Sequence, residues 1–387
     1  MAQFTTVLQQ IQQTISRKLF DNLADKYNVN KGVRKMTALA HFSVLLYAQF
    51  KGLNSLREIE TATSALTKIQ QKSGLTHTCR STLADANQRI PWLFYRDLFY
   101  EYLEQVKDLF PRHKFDQIGN LLSIDSTTIK LCRSLFPWAQ FRQAKGALKI
   151  HTVLDHSGNI PDALVVTNGK VHDIRVGRAL KFAKGTMLLF DRGYFDAEWF
   201  YKLHKDSVYF ITRMKSNISF IYNRHIKHNC STGIVEEWYG YLDSYAGNKC
   251  PVLLHLARYI GQVTGKEYIF LTNHLDLSAQ TVADLYKQRW QVELFFKWIK
   301  QHLKIKTFIG NDENAVLIQI WVAMIAYLIV KANHLKISKG GTAHQFLIFI
   351  STHTLMQIPL SQAWQDFQRT KTKHKTYKNV FSRIPLN

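Results

Sequence analysis

A chain of 387 residues with 46% hydrophobic content can form two or three domains around well-buried cores. Its 51 Lys and Arg against 28 Asp and Glu leave a net charge of +23, which favours a long polyanionic partner, nucleic acid above all. The basic residues are spread along the chain and mixed with aromatics, unlike a single amphipathic membrane anchor, and Cys79, Cys132, Cys230 and Cys250 form no C-x-x-C pair, which argues against a zinc ribbon or a disulfide framework.

The N-terminus lacks a basic segment followed by an apolar one, so no secretory signal is expected, and a reducing cytoplasm is the expected compartment. From about Phe4 to Leu109, FTTVLQQIQQTI, MTALAHFSVLLYAQF, SLREIETATSAL and WLFYRDLFYEYLEQVKDLF carry apolar residues at three-to-four spacing and predict helices. Residues 1–115 are expected to form an all-α DNA-binding domain. Polar capping residues open Thr78–Asn87, a short helix that would present Arg80 and Arg89 to phosphate. A packing domain with a solvated basic face fits this pattern equally well.

After Pro111 the rhythm changes. Leu121–Asp125 is a short apolar run ending in an acid, and Ala147–Asp155 and Ile160–Thr167 flank a turn at His156–Asn159, which predicts a hairpin. A helix over Ile174–Lys184, a strand over Met187–Gly193, a second helix and a further strand follow. The order matches an α/β, ribonuclease-H-like core, a mixed sheet flanked by helices, placed over residues 116–214 and 272–340. Residues 215–271 are expected as a β-rich insertion between the two parts. A long helix is predicted from Ala279 to about Leu303. The apolar run Val316–Val330 is too short for a typical membrane span of about 20 residues and reads as a buried helix. Residues 341–387 form a basic C-terminal region whose tail from Arg369 holds Lys371, Lys373, Lys375, Lys378 and Arg383 and no acid.

Phosphodiester cleavage needs carboxylates that converge on divalent ions. Asp125 and Asp191 each end an apolar strand, where a side chain projects beyond the sheet; either alone is more readily a turn-former or cap. At about 100° per residue, Tyr286, Arg289, Glu293, Lys297 and Lys300 fall in one stripe, with Leu285, Val292, Phe295, Phe296, Ile299 and Leu303 facing the core. A surface set of ion pairs would give the same stripe. Two strand-end aspartates and a helix glutamate, in the order this fold uses and in a strongly basic chain, make Asp125, Asp191 and Glu293 the candidate catalytic metal ligands.

These residues resemble the bacterial insertion-sequence transposases with an Asp-Asp-Glu triad, in the family with a Tyr-Arg-Glu-Lys signature. Tyr286, Arg289, Glu293 and Lys300 reproduce that signature at its spacing; Ile124–Thr127 and Asp191–Tyr194 are similar to the blocks around the two aspartates, and Arg80–Asn87 to the family's helical region. The resemblance implies metal-dependent cut-and-paste transposition with two Mg²⁺ ions, replaceable by Mn²⁺, on Asp125, Asp191 and Glu293. It implies 3′-hydroxyl nicking, a hairpin intermediate and strand transfer. Tyr286, Arg289 and Lys300 would contact DNA, joined by Lys297, Arg192, Arg80 and Arg89. The implied partners are double-stranded DNA, as terminal inverted repeats and target, and a second copy in a synaptic dimer; no membrane is implied. Relatives also stack an aromatic residue on a flipped base, for which Trp238 and Tyr239 are candidates. A nuclease or resolvase of the same fold, or a catalytically silent DNA-binding regulator, are the alternatives.

Overall fold

The computed structural model describes residues 5–381 apart from 72–74, 143–144, 229–232, 263, 304, 306 and 338–339. Seven helices come first: α1 Val7–Gln12, α2 Arg17–Lys26, α3 Ala38–Lys51, α4 Leu56–Ser64, α5 Lys68–Gln71, α6 Arg80–Arg89 and α7 Trp92–Val106. Then follow β1 Leu121–Leu131, β2 Gln140–Arg142, β3 Lys145–Asp155, β4 Ile160–Asn168, α8 Asp173–Ala179, β5 Met187–Leu189, α9 Ala197–Lys205 and β6 Tyr209–Arg213. Next are β7 Phe220–Lys227, β8 Ile234–Leu242, α10 Ser244–Lys249, β9 Leu254–Ile260 and β10 Glu267–Thr272. The chain closes with α11 Ala279–Gln288, α12 Trp290–His302, α13 Glu313–Ile337, α14 Ala343–His353 and α15 Leu360–Phe381. Packing divides it into two compact units, one of residues 1–110 with 298–387 and one of residues 111–297. Of residues 272–340, read from sequence as the second part of the core, 272–297 fall in one unit and 298–340 in the other.

The helical unit is built around α13. This helix is apolar on every side, with a mean hydropathy of 2.1, and 94% of its most apolar window is buried, as expected of a helix enclosed by other helices. It packs on α3, α6, α7 and α14, with Trp321 set 5.6 Å from the Phe99 ring. At its start, Asn314 donates to the Asn87 and Ile90 carbonyls and accepts from the Trp92 amide, fixing the bend between α6 and α7. The basic tail does not leave the fold at Arg369: α15 continues through it to Phe381, and Arg383 lies outside the described residues.

His41 on α3 is fully buried between the Tyr95 hydroxyl, 2.7 Å from Nδ1, and Asn87 Oδ1, 2.9 Å from Nε2. Burial lowers its pKa to about 4, outweighing the hydrogen bond His41 donates to Asn87 Oδ1, with Arg89 pushing the same way as burial. A histidine near 6.5 when unfolded and about 4 when folded binds its proton more readily in the unfolded chain. Its neutral burial therefore contributes stability that is complete above about 6.5 and lost as pH falls towards 4, roughly 3 kcal/mol in all. Urea unfolding of the helical unit across this range is expected to show that loss, and His41→Asn to flatten its share of the slope. A slope unchanged in the variant would show that other groups carry it.

The second unit is one ten-stranded sheet in the order β2-β3-β1-β5-β6-β10-β9-β8-β7, with β4 also paired to β3. The predicted hairpin is β3 and β4, antiparallel from Leu148↔Asn168 to Asp155↔Ile160. Strands β1, β5 and β6 run parallel, with β3 antiparallel to β1. The stretch expected as an insertion is not a separate β module: β10 pairs antiparallel with β6, so β7–β10 prolong the same sheet. One face packs on α9 through Phe190, Trp199, Phe200 and Phe210; the other packs on α11 through Leu121, Leu189, Ile211, Val282 and Leu285.

The helix read over Ile174–Lys184 is Asp173–Ala179 and the strand read to Gly193 stops at Leu189; two further differences bear on the site. Strand β1 does not end at Asp125 but runs six residues further, because β3 supplies hydrogen-bonding partners as far as Leu131. The predicted single helix from Ala279 is two helices meeting at Arg289, where the Arg289 amide bonds back to the Tyr286 carbonyl in a tightened turn.

Candidate active site

Register explains how two aspartates 66 residues apart in the chain come together. The parallel pairing of β1 with β5 stops at Ser123↔Leu189. Asp125 and Asp191 each lie two residues past that last pair. Because strand side chains alternate, both carry the parity of Leu121 and Leu189 and point to the face covered by α11. Asp125 is thus a mid-strand residue with respect to β3, where it faces Thr152, and lies beyond the end of β5. This leaves its carboxylate clear of a neighbouring strand on that side.

Asp191 lies two residues beyond β5 and caps the short turn Arg192–Tyr194, and its Oδ1 accepts the Gly193 amide at 2.7 Å. A β-carbon on Gly193 would stand 2.9 Å from that same oxygen, so glycine here keeps the carboxylate in place. Glu293 lies in the first turn of α12, where helix polarity favours an anion. Arg289 links two of the acids. Its guanidinium donates to Asp125 Oδ2 at 3.3 Å and to Glu293 Oε1 at 2.6 Å, and its side chain is only 13% exposed.

The electrostatics agree with this convergence. Burial raises the Asp125 pKa to about 6, against the Ser126 amide that bonds its Oδ1 at 2.7 Å; the charges of Asp191 and Glu293 raise it further and Arg289 opposes them. Two of the three carboxylates, Asp125 and Glu293, share one guanidinium, whose Nε is buried without a hydrogen-bond partner among the described residues. An all-oxygen, electron-rich donor set of this kind suits a hard divalent cation. In donor chemistry the set therefore fits a metal.

A supporting layer lies behind Asp125 that sequence reading did not find. The Ser126 hydroxyl donates to Asp173 Oδ1 at 2.6 Å, and the same oxygen is 3.2 Å from Lys149 Nζ and 3.4 Å from His151 Nδ1. Tyr194 is buried beside them; burial first, then the charges of Asp173, Asp125 and Asp191, push its hydroxyl pKa well up. Asp173 and Lys149 carry no sequence signal, since only the β1–β3 register brings Lys149 across from Thr128.

The remaining predicted contacts divide. Lys297 and Arg192 are exposed and close in sequence to the acids; Arg80, on α6 in the helical unit, is exposed but distant in sequence from them. Lys300 follows on α12, past the division at Lys297. Tyr286 does not lie on an outward polar stripe: it is 9% exposed, packed 4.8 Å from the Phe270 ring, because the turn at Arg289 breaks the phase between α11 and α12. Arg89 is engaged internally, its guanidinium donating to the Val29 and Met36 carbonyls. Trp238 and Tyr239 have ring faces already occupied, by His225 at 5.4 Å and by His255 at 4.5 Å. Trp290, next to Arg289, is an open aromatic at 55% exposure.

Residues 117–329 match the transposase DDE domain family, and residues 3–76 match a domain of unknown function, DUF4372. The chain belongs to the DDE transposases. It is 35% identical over 266 residues to y4zB of Sinorhizobium fredii, a protein named as a transposase, covering 68% of this chain and 73% of that one. A Geobacillus stearothermophilus protein named as a transposase for insertion sequence element IS5377 is 30% identical over 239 residues, 61% of this chain and 63% of its own length. One from Synechocystis, named for element IS4SA, is 27% identical, covering 60% and 67%. A piggyBac transposase synaptic complex with hairpin DNA aligns with a TM-score of 0.47 at 12% identity over 99% of this chain and 86% of that one, a likeness too remote to define the site. This transposase is thus an enzyme that binds DNA, cuts it and transfers strands, and its domain family generally depends on a divalent metal.

Proposed function

We propose that this transposase excises and inserts an insertion sequence with Asp125, Asp191 and Glu293 as its catalytic acids, in the subfamily marked by Tyr286, Arg289, Glu293 and Lys300. The sheet order β4-β3-β1-β5-β6 supports a ribonuclease-H-like core. One observation carries the assignment: Asp125 and Asp191 extend equally past the last β1–β5 pair, and Arg289 bonds Asp125 and Glu293 at once.

The three acids would hold Mg²⁺, two ions in the full reading, with Mn²⁺ a substitute. Bound there, the cations would neutralise charge on the reacting phosphate and assist the entering and leaving oxygens. The protein's own part is positioning. Gly193 and Ser126 amides orient the Asp191 and Asp125 carboxylates, and the Asp173 cluster holds Ser126. Arg289, planar and forked, can exchange its two carboxylates for two oxygens of a phosphate. Lys297, Lys300 and Arg192 add point contacts to the backbone, and Trp290 offers an indole face to an unstacked base. Water oxygen attacks phosphorus at the element's end and the strand leaves with a 3′-hydroxyl. That hydroxyl attacks the opposite strand to close a hairpin, which a second hydrolysis reopens before the 3′ ends join target DNA. Two ends must be paired, so a dimer is the working assembly.

The test is a cleavage-and-joining assay on DNA carrying the element's ends, with each acid replaced in turn. A nuclease of the same fold would cut without joining. Arg289→Ala separates two roles: it is expected to tighten Mn²⁺ binding about tenfold by calorimetry, a usual size for competition between two ligands of one site. It should also reduce the salt dependence of DNA affinity by about one unit of slope. Unchanged Mn²⁺ affinity would remove Arg289 from the acid site.

A further inference from the structure

The helical unit holds a second set of metal-ligating side chains, unrelated to the acids of the sheet. Glu60, His77 and Cys79 each offer a ligand atom, and these atoms all lie within 4.8 Å of one another. Glu60 stands in the middle of α4, while His77 and Cys79 sit in the extended segment that leads into α6. We propose that these three residues form a binding site for a zinc-class divalent cation, with water completing a tetrahedron.

The geometry is held from two sides. The Thr78 amide donates to the Thr63 hydroxyl at 3.1 Å, and the Arg80 amide donates to Glu60 Oε1 at 3.0 Å, so the segment is fixed to α4 on both sides of Cys79. Thr78 is buried at 3% exposure while His77 and Cys79 on either side of it are exposed. In an extended chain residues two apart share a face, which places the imidazole and the thiol together. The bond from the Arg80 amide orients the Glu60 carboxylate as a supporting hydrogen bond orients a metal-bound ligand, and leaves its second oxygen for the cation. Cys79 is the cap residue before the first turn of α6, and its side chain makes no capping bond that a metal would have to displace.

The donor chemistry selects the cation. Zinc accepts sulfur at about 2.3 Å and nitrogen or oxygen at about 2.0–2.2 Å, which sets neighbouring ligand atoms roughly 3.3–3.8 Å apart in a tetrahedron. Closing from within 4.8 Å to that spacing needs only side-chain rotation of the exposed His77 and Cys79 towards the half-buried Glu60. Magnesium, which prefers oxygen, has no use for a thiol and an imidazole. Bound metal would tie the start of α6, and with it the exposed Arg80, to α4.

Cobalt(II) titration of the full-length protein tests this, since a thiolate ligand gives a sulfur-to-cobalt charge-transfer band that carboxylates cannot. The band is expected in the wild type, displaced by Zn²⁺ and insensitive to excess Mg²⁺. It should be abolished by Cys79→Ser, kept in Cys132→Ser and Cys230→Ser, and require at least tenfold more cobalt in His77→Ala and Glu60→Gln. No band in the wild type, or a band surviving in Cys79→Ser, overturns the site. A band lost with Cys79 but indifferent to both His77 and Glu60 equally overturns it.

Discussion

Replacing Asp125 by Asn is expected to abolish strand cleavage, lowering its rate by at least about 10³-fold, while DNA binding persists. The magnitude is that of removing a group placed against charge that develops in the transition state. Asn keeps the volume and one oxygen, and with it the bond from the Ser126 amide, so β1 and its pairing to β3 should survive. What disappears is the negative charge that, with Asp191 and Glu293, makes the site attractive to a divalent cation. DNA affinity should stay the same or tighten slightly, because a negative charge next to phosphate has been removed. Retained cleavage in Asp125→Asn would sink the assignment of this residue; normal cleavage with lost joining would reassign it to the second step.

Phe200→Ala is expected to destabilise the sheet unit by about 3–5 kcal/mol, the range for truncating a fully buried aromatic residue. Phe200 is 0% exposed, stacked 4.5 Å from Phe210 and 5.9 Å from Phe190, with Phe195 edge-on at 4.9 Å. Its loss opens a cavity beneath β5, and Phe190 immediately precedes Asp191. The effect should therefore show twice, as a lower denaturant midpoint for this unit and as reduced cleavage before global unfolding. Phe200→Leu, which restores much of the volume, should recover most of both. A truncation costing under about 1 kcal/mol would mean that this cluster does not hold β5.

The sequence by itself determined the chemistry available. Residues 117–329 carry the acids, the basic balance and the hydrophobic rhythm from which a transposase could be read, and the His156–Asn159 turn and the buried α13 followed from local pattern alone. Local pattern suffices there because turn residues and apolar periodicity act over a few neighbouring residues. Only the tertiary structure decided where each side chain points. Asp125 looked like a strand end, yet it is the point where β5 stops while β3 continues, a matter of register between distant segments. Tyr286 looked outward on an ideal helix and is buried because the turn at Arg289 resets the phase. Cys79 formed no sequence motif, and with His77 it meets Glu60 because two amide hydrogen bonds hold their segment against α4. Periodicity fixes which face of an element is apolar, whereas contacts between residues far apart in the chain depend on pairing and packing that no local window contains.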